Sequence, residues 1–224
     1  VERSLSVPGD GTAALDRAPL AIREAMMFPY RAGFGFVAAL RRRKPWAAVD
    51  AAFARPPRST AQILHPARYL ADDRPVAITG RVPAALAGYA IAHATVWGEL
   101  GFSLWLRAHG VDDGVAAIAA AGWSGDRVLT LARTGEDAAA PAIGLARVEW
   151  DSEADAIEAA EAAGKAIAEG VAAQAIEGGG EATAAARLRV VAADGTVSWV
   201  ERRGAAMVMA VGVPAGVAAA VEGE

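Results

Sequence analysis

Residues 143–167, IGLARVEWDSEADAIEAAEAAGKAI, change period partway along. Ile143 to Trp150 alternate apolar and polar side chains in the manner of a strand. Ser152 then opens a stretch rich in alanine and glutamate, with Asp155 three residues on as its capping partner. Ala154, Ile157, Ala160, Gly164 and Ile167 share one face of the long helix this predicts. A strand running into one long helix, among short alternating segments, decides the fold class.

Outward from that stretch the same signals recur. Upstream, Arg127 to Ala132 alternate as a strand and reach Ile143 through a loop from Gly135 to Pro141. Downstream, Gly178-Gly179-Gly180 reads as a flexible turn. Arg187 to Val191 and Val197 to Glu201 then flank Asp194-Gly195, the strongest short hairpin signal in the chain. A turn at Arg202 to Gly204 leads to Ala206 to Val211, and Pro214 opens a short C-terminal helix. No internal repeat is present.

The first part reads as helix. Pro19 begins one helix running through Met26, and Pro29 opens the next. In that second helix Tyr30, Phe34, Val37 and Leu40 form one stripe, expected to be buried, with Gly33 and Gly35 permitting close approach. Arg41-Arg42-Arg43-Lys44 sits at its C-terminus, where cations favour the macrodipole. Pro45 starts a short helix with Trp46, Val49 and Phe53 on its inner face, and Pro56-Pro57 ends it. Ser59 with Gln62 reads as a capping box, in a helical turn stopped by Pro66. Asp72 to Gly88 is an irregular connection with a short strand near Val76. Ala90 to Trp97 reads as a strand and Gly98 to Arg107 as a helix. Asp112 or Asp113 caps a further helix that ends at Gly122. Helices first, then strands with one long crossing helix, predict an α+β fold with a mostly antiparallel sheet. The expected division is a helical lobe over residues 1–122 and an antiparallel α+β lobe over 123–224, which can also form one continuous domain.

Composition sets further bounds. A chain of 224 residues buries roughly 70% of the surface its unfolded form exposes. At 54% hydrophobic and 21% charged it is no disordered segment. A formal net charge of -4 argues against nucleic acid or an anionic membrane as the main partner, since both need a basic footprint. Cysteine is absent, which removes disulfides, thiolate nucleophiles and sulfur-ligated zinc. No stretch reaches the roughly 20 apolar residues of a membrane span. The start at Val1 rather than methionine points to a processed or partial chain.

Three stretches, taken together, resemble one family. The first is Phe28-Pro29-Tyr30, then Gly33, Phe36-Val37, Ala39-Leu40 and Trp46 to Ala51. The second is Pro56 to Thr60, then Gln62-Ile63-Leu64-His65-Pro66 and Tyr69. The third is Gly98 to Gly101, Ala121 to Arg127, Val148 to Asp151 and Ala154 to Ala156. Their order is similar to the C-terminal part of largely uncharacterised bacterial secreted proteins and lipoproteins. Members of that group carry an H-E-x-x-H helix upstream and look like zinc metallopeptidases. This chain has no such helix: its histidines, His65, His93 and His109, form no H-x-x-x-H pair. The resemblance therefore implies a non-catalytic portion or partner subunit, packed against a metal-bearing half and supporting its substrate groove. Zinc would come only from a missing half or a partner chain. The alternative is a stand-alone cell-surface or periplasmic binding or structural protein, or a homo-oligomer, that has lost the metal site. The resemblance also implies an extracytoplasmic location.

Within that frame the candidate groove or supporting residues are Tyr30, His65, Glu99, Asp126 and Arg127, and the partner surface is Phe28, Phe34, Phe36, Arg55 and Arg58. His65, before a proline at a helix end, either satisfies a nearby backbone group or edges a substrate cleft. His93, in an apolar run, reads as a hydrogen-bonded core histidine, and His109 as a solvent-facing helix terminus. Glu99 suits a helix N-terminus or a supporting role towards a histidine or metal. Asp126 and Arg127 read as a structural ion pair or as a carboxylate- or phosphate-binding pair. Arg55 and Arg58 bracket a diproline as a rigid loop or a docking surface. Ser124 lacks the G-x-S-x-G spacing of a nucleophile elbow.

Overall fold

The computed structural model describes residues 11–43, 45–135, 141–171, 173–178 and 187–223. The Gly178–Gly180 turn, the middle of the Gly135–Pro141 loop and Lys44 lie outside them in whole or in part. The elements follow the chain as α1 (Gly11–Asp16), α2 (Leu20–Arg43), α3 (Trp46–Ala54), α4 (Thr60–Leu64), α5 (Pro66–Leu70), β1 (Tyr89–Thr95), α6 (Gly98–Ala108) and α7 (Asp113–Ala121). Then come β2 (Trp123–Arg133), β3 (Ile143–Trp150), α8 (Glu153–Gly170), β4 (Ala173–Gly178), β5 (Arg187–Ala192), β6 (Thr196–Arg203), β7 (Ala206–Pro214) and α9 (Ala215–Glu222). The fold is α+β, as expected, with a helical part first and one antiparallel sheet crossed by a long helix.

The seven strands of that sheet run in the order β1-β2-β3-β7-β6-β5-β4, and every described pairing is antiparallel. Two meanders, β1 to β3 and β4 to β7, therefore meet along a single seam between β3 and β7. Between them α8 crosses the sheet, started by Ser152, whose hydroxyl accepts from Asp155 N. The buried face of α8 is centred on Ala156, Ala159, Ala163 and Ala166; of the expected row Gly164 and Ile167 are buried, Ile157 and Ala160 half-buried and Ala154 exposed. Small side chains win that face because the helix lies close to the strands. At Gly164 an added Cβ would stand 2.8 Å from Leu188 Cδ2. α6 and α7 extend the same layer, and their Phe102, Leu106, Ala116 and Ala120 join the core beneath α8. The other sheet face is covered by α9 and a 3-10 turn at Ala84–Leu86, which pack on Leu129, Leu131, Ile143 and Trp199.

Turn and cap chemistry behaves as the sequence reads. Gly195 takes φ +80° in the hairpin between β5 and β6, and Asp194 Oδ1 accepts from Thr196 N at 2.9 Å. Pro214 precedes α9 as its N-cap residue. The N-terminal helices differ from expectation. Pro29 starts no new helix but lies inside α2. Pro29 and Ala25 are both exposed, so water can satisfy the Ala25 carbonyl that loses its donor. The expected apolar stripe of α2 packs only in its second half, where Val37 and Leu40 face the core. Phe36 and Leu40 are buried, whereas Tyr30 and Phe34 are 68% and 74% exposed. Nothing approaches the positions where Gly33 and Gly35 would carry a Cβ. Pro66, expected to stop a helix, also opens α5. Near Val76 the chain is not a strand; it lies against the start of β2 through a single bond from Val76 N to Ser124 O at 2.9 Å.

Candidate functional site

The first turn of α6 gathers three of the residues singled out in the sequence. Gly98 has φ +68°, a left-handed conformation that favours glycine, and a Cβ there would lie 2.7 Å from Thr60 Oγ1. That close approach lets Thr60 Oγ1 accept from Leu100 N at 3.2 Å. From the adjoining strand β2, Asp126 accepts from Trp97 N at 2.9 Å, Gly98 N at 2.8 Å and Trp123 Nε1 at 2.8 Å. Three backbone donors at the start of α6 are thus met by one carboxylate and one hydroxyl. Asp126 is a cap, not half of an ion pair with Arg127. Alternation along β2 sends Arg127 to the opposite face, where its Nε donates to Ile78 O at 3.1 Å.

Glu99 stands in the same first turn, almost wholly buried, and its Oε1 accepts from His65 Nε2 at 2.7 Å. Its Oε2 has no hydrogen-bond partner among the described residues. His65 is the residue between α4 and α5, and 41% of its side chain is exposed. The ring therefore binds a side chain 34 residues away instead of a neighbouring backbone group. Such an arrangement fixes the tautomer and orientation of an imidazole whose other nitrogen stays available. Burial pushes the Glu99 carboxyl above its ordinary value, against the pull of the His65 bond and of the His65 and Arg68 charges. Burial likewise raises Asp126, against its three donors and the Arg127 charge.

A pH dependence follows for Glu99. Because its pKa is higher in the folded chain than the ordinary 4.5, the native state holds this proton over a window in which the unfolded chain releases it. Stability from this group is full below that ordinary value and is lost as pH rises through the raised one. The stability of the wild type relative to Glu99→Gln, measured by urea unfolding, should rise as pH falls through the window and level off below it. A difference that stays flat between neutral and acid pH would refute this.

Around this core the remaining candidates are dispersed. Arg68 on α5 donates to Trp123 O at 3.1 Å and bridges to Asp73 and Asp151, tying the helices to the end of β3. Arg58 N donates to Gln62 Oε1 at 2.7 Å, so the reciprocal bond of the capping box begins one residue before Ser59. Arg55 is exposed, and its carbonyl accepts from Tyr69 OH at 2.8 Å. Phe36 is not on the surface: it is buried against Tyr69, edge to face at 5.1 Å. Phe28 is half-buried, and Phe34 and Tyr30 are exposed. His93 is no core residue; it is exposed on β1, a terminal strand of the sheet. His109 is half-buried at the end of α6, with its ring against Trp105 and Nδ1 bonded to Trp105 O at 2.8 Å. Among the described residues no three histidine, aspartate or glutamate side chains gather in a metal-binding group. A cavity of about 440 Å³ opens beside Asp126, between Thr60, Val76 and Trp97.

The sequence signals for this site were separate. A glutamate between two glycines at a helix start and a histidine before proline were both visible, but nothing local joined them. Asp126 carried the weaker signal, a carboxylate after a tryptophan-containing turn.

Residues 88–222 match a family described as Domain of unknown function (DUF8575). No curated protein and no solved structure matches the chain. The matched span takes in the whole sheet, Glu99, Asp126 and Arg127; α2 to α5 and His65 precede it.

Proposed function

Since this chain belongs to the DUF8575 family over residues 88–222, whose function is unknown, we propose its role from its surfaces. It is a non-catalytic α+β module of a zinc-metallopeptidase-like assembly. The helical part docks on a metal-bearing chain or segment of the H-E-x-x-H type, and the sheet supports the substrate groove. One observation carries the reading: Ile22, Met26, Tyr30 and Phe34 follow one another at four-residue intervals along α2, and each is more than half exposed. Trp46 and Phe53 on α3 add 60% and 85% exposure. An aligned row of this kind, unlike apolar residues scattered singly, marks a partner surface. In this reading Tyr30 and His65 reach the groove, and Glu99 and Asp126 hold its wall. Zinc comes with the partner, and the assembly lies outside the cytoplasm. No described helix is long and apolar enough to cross a membrane.

Size-exclusion chromatography with light scattering, on mixtures with H-E-x-x-H candidates, tests the proposal. A complex is expected, and Phe34→Arg should weaken it about 30-fold, as for a buried aromatic anchor. A chain that stays monomeric beside every such partner counts against the reading. A second reading, self-association of a stand-alone binding protein, is favoured by β1, a terminal strand exposed along both faces from residue 90 to 94. A homo-oligomer formed without zinc or partner, and abolished by Ile91→Lys, would select it.

A further inference from the structure

We propose that the sheet face opposite α8 binds a small organic anion with an apolar body, a carboxylate or phosphate monoester on a short alkyl or aryl group. The site is a cavity of about 230 Å³ between residues 79–83 and α9. That volume is roughly eight water-sized portions, room for an acid of about ten non-hydrogen atoms. Its floor is apolar, from Leu145, Trp199 and Ala210.

Its rim is basic. Arg81, Arg127, Arg147 and Arg203 line it, against Glu201 and Glu222. Both glutamates are already engaged. Glu201 pairs with Arg187 and with Arg203 at 2.7 Å, and Glu222 pairs with Arg187 at 3.0 Å and Arg189 at 3.2 Å. Of the rim arginines Arg203 is paired with Glu201 and Arg147 with Glu149, whereas Arg127 forms no ion pair among the described residues.

The strand register sharpens the point. Arg127 on β2 stands directly opposite Arg147 on β3. Like charges in that relation repel. The two sit in the same cavity, and the nearest acid in sequence, Asp126, is committed to the start of α6 on the other face. Arg127 is aimed by its Nε bond to Ile78 O, and its Nη groups have no hydrogen bond among the described residues. Arg147 is held by Glu149 at 2.7 Å. An anion between the two guanidiniums relieves their repulsion and gains charge-assisted hydrogen bonds, while its apolar part covers the floor.

Isothermal titration calorimetry of the full chain with octanoate, octyl phosphate, octan-1-ol and inorganic phosphate tests this. Saturable binding of octanoate or octyl phosphate is expected, each at least about tenfold tighter than octan-1-ol or inorganic phosphate, with Arg127→Gln and Arg147→Gln each weakening it about tenfold. Arg147 is exposed, so its variant reports on binding without disturbing the core. Binding of only one acid supports the site and assigns its head group. Absence of saturable binding for both acids, equal binding of the alcohol or of bare phosphate, or unchanged affinity in both variants would overturn the proposal.

Discussion

Asp126→Ala is expected to lower the unfolding free energy by about 3–5 kcal/mol, because three buried donors lose their acceptor together. Trp97 N and Gly98 N begin α6, and Trp123 Nε1 belongs to the first residue of β2. One carboxylate therefore joins a helix start to a strand start. A single missing partner leaves a donor desolvated at roughly 1–3 kcal/mol; the neighbouring cavity admits water and keeps the sum below three full penalties. For a chain of this length the melting temperature should fall by about 10 °C. Asp126→Asn keeps an acceptor oxygen but turns an amide N–H₂ towards the donors, so its loss should be smaller yet real. Calorimetry on both variants decides the matter. An alanine variant melting within two or three degrees of the wild type would show that water replaces the carboxylate without cost.

Phe102→Ala should be equally damaging for a different reason. Phe102 has no exposed surface, meets Trp150 edge to face at 5.2 Å and stacks on Trp105 at 6.1 Å. It is the largest fully buried side chain of α6 and belongs to the core under α8. Truncation removes the transfer term and leaves a cavity lined by rigid indoles that cannot collapse, a loss of about 3–5 kcal/mol. Chemical denaturation should show it, with tryptophan emission shifted to the red as water reaches Trp105 and Trp150. Phe34→Ala supplies the contrast. That ring is 74% exposed, and its removal should alter stability by less than about 0.5 kcal/mol. Equal losses in the two variants would mean that α2 is covered in the isolated chain.

These two residues mark the boundary of what the sequence could convey. Ser152 with Asp155, Asp194-Gly195 and Pro214 each encode a cap or a turn through chemistry confined to a few residues, and each falls where it was expected. Phe102 announced itself as part of an apolar helix, but not which wall it would meet. Asp126 caps a helix that begins 28 residues earlier, a relation that exists only once β2 lies beside α6. The same holds for His65 with Glu99 and for Arg127 facing Arg147: the chemistry belongs to pairs that the chain brings together from afar. In α2 the local rules misled. Pro29 and the stripe from Tyr30 to Leu40 implied a break and a buried face, yet the helix continues and exposes the first two rings, Tyr30 and Phe34. Exposure removes the penalty at the proline, and packing settles on the second half of the stripe, Val37 and Leu40, together with Phe36.

The seam between β3 and β7 has a kinetic consequence. Within each half the strands pair with their neighbours along the chain, β5 with β6 and β6 with β7 over tight turns, β2 with β3 over a longer loop and β1 with β2 across α6 and α7, so these closures cost less entropy than the central one. Joining β3 to β7 encloses α8, β4, β5 and β6 in one large loop. Assembly should therefore be gated at the middle of the sheet, with both flanks zipped before the centre locks. Side chains along that line, such as Val148 against Met207 and Ala146 against Met209, govern how fast the molecule forms.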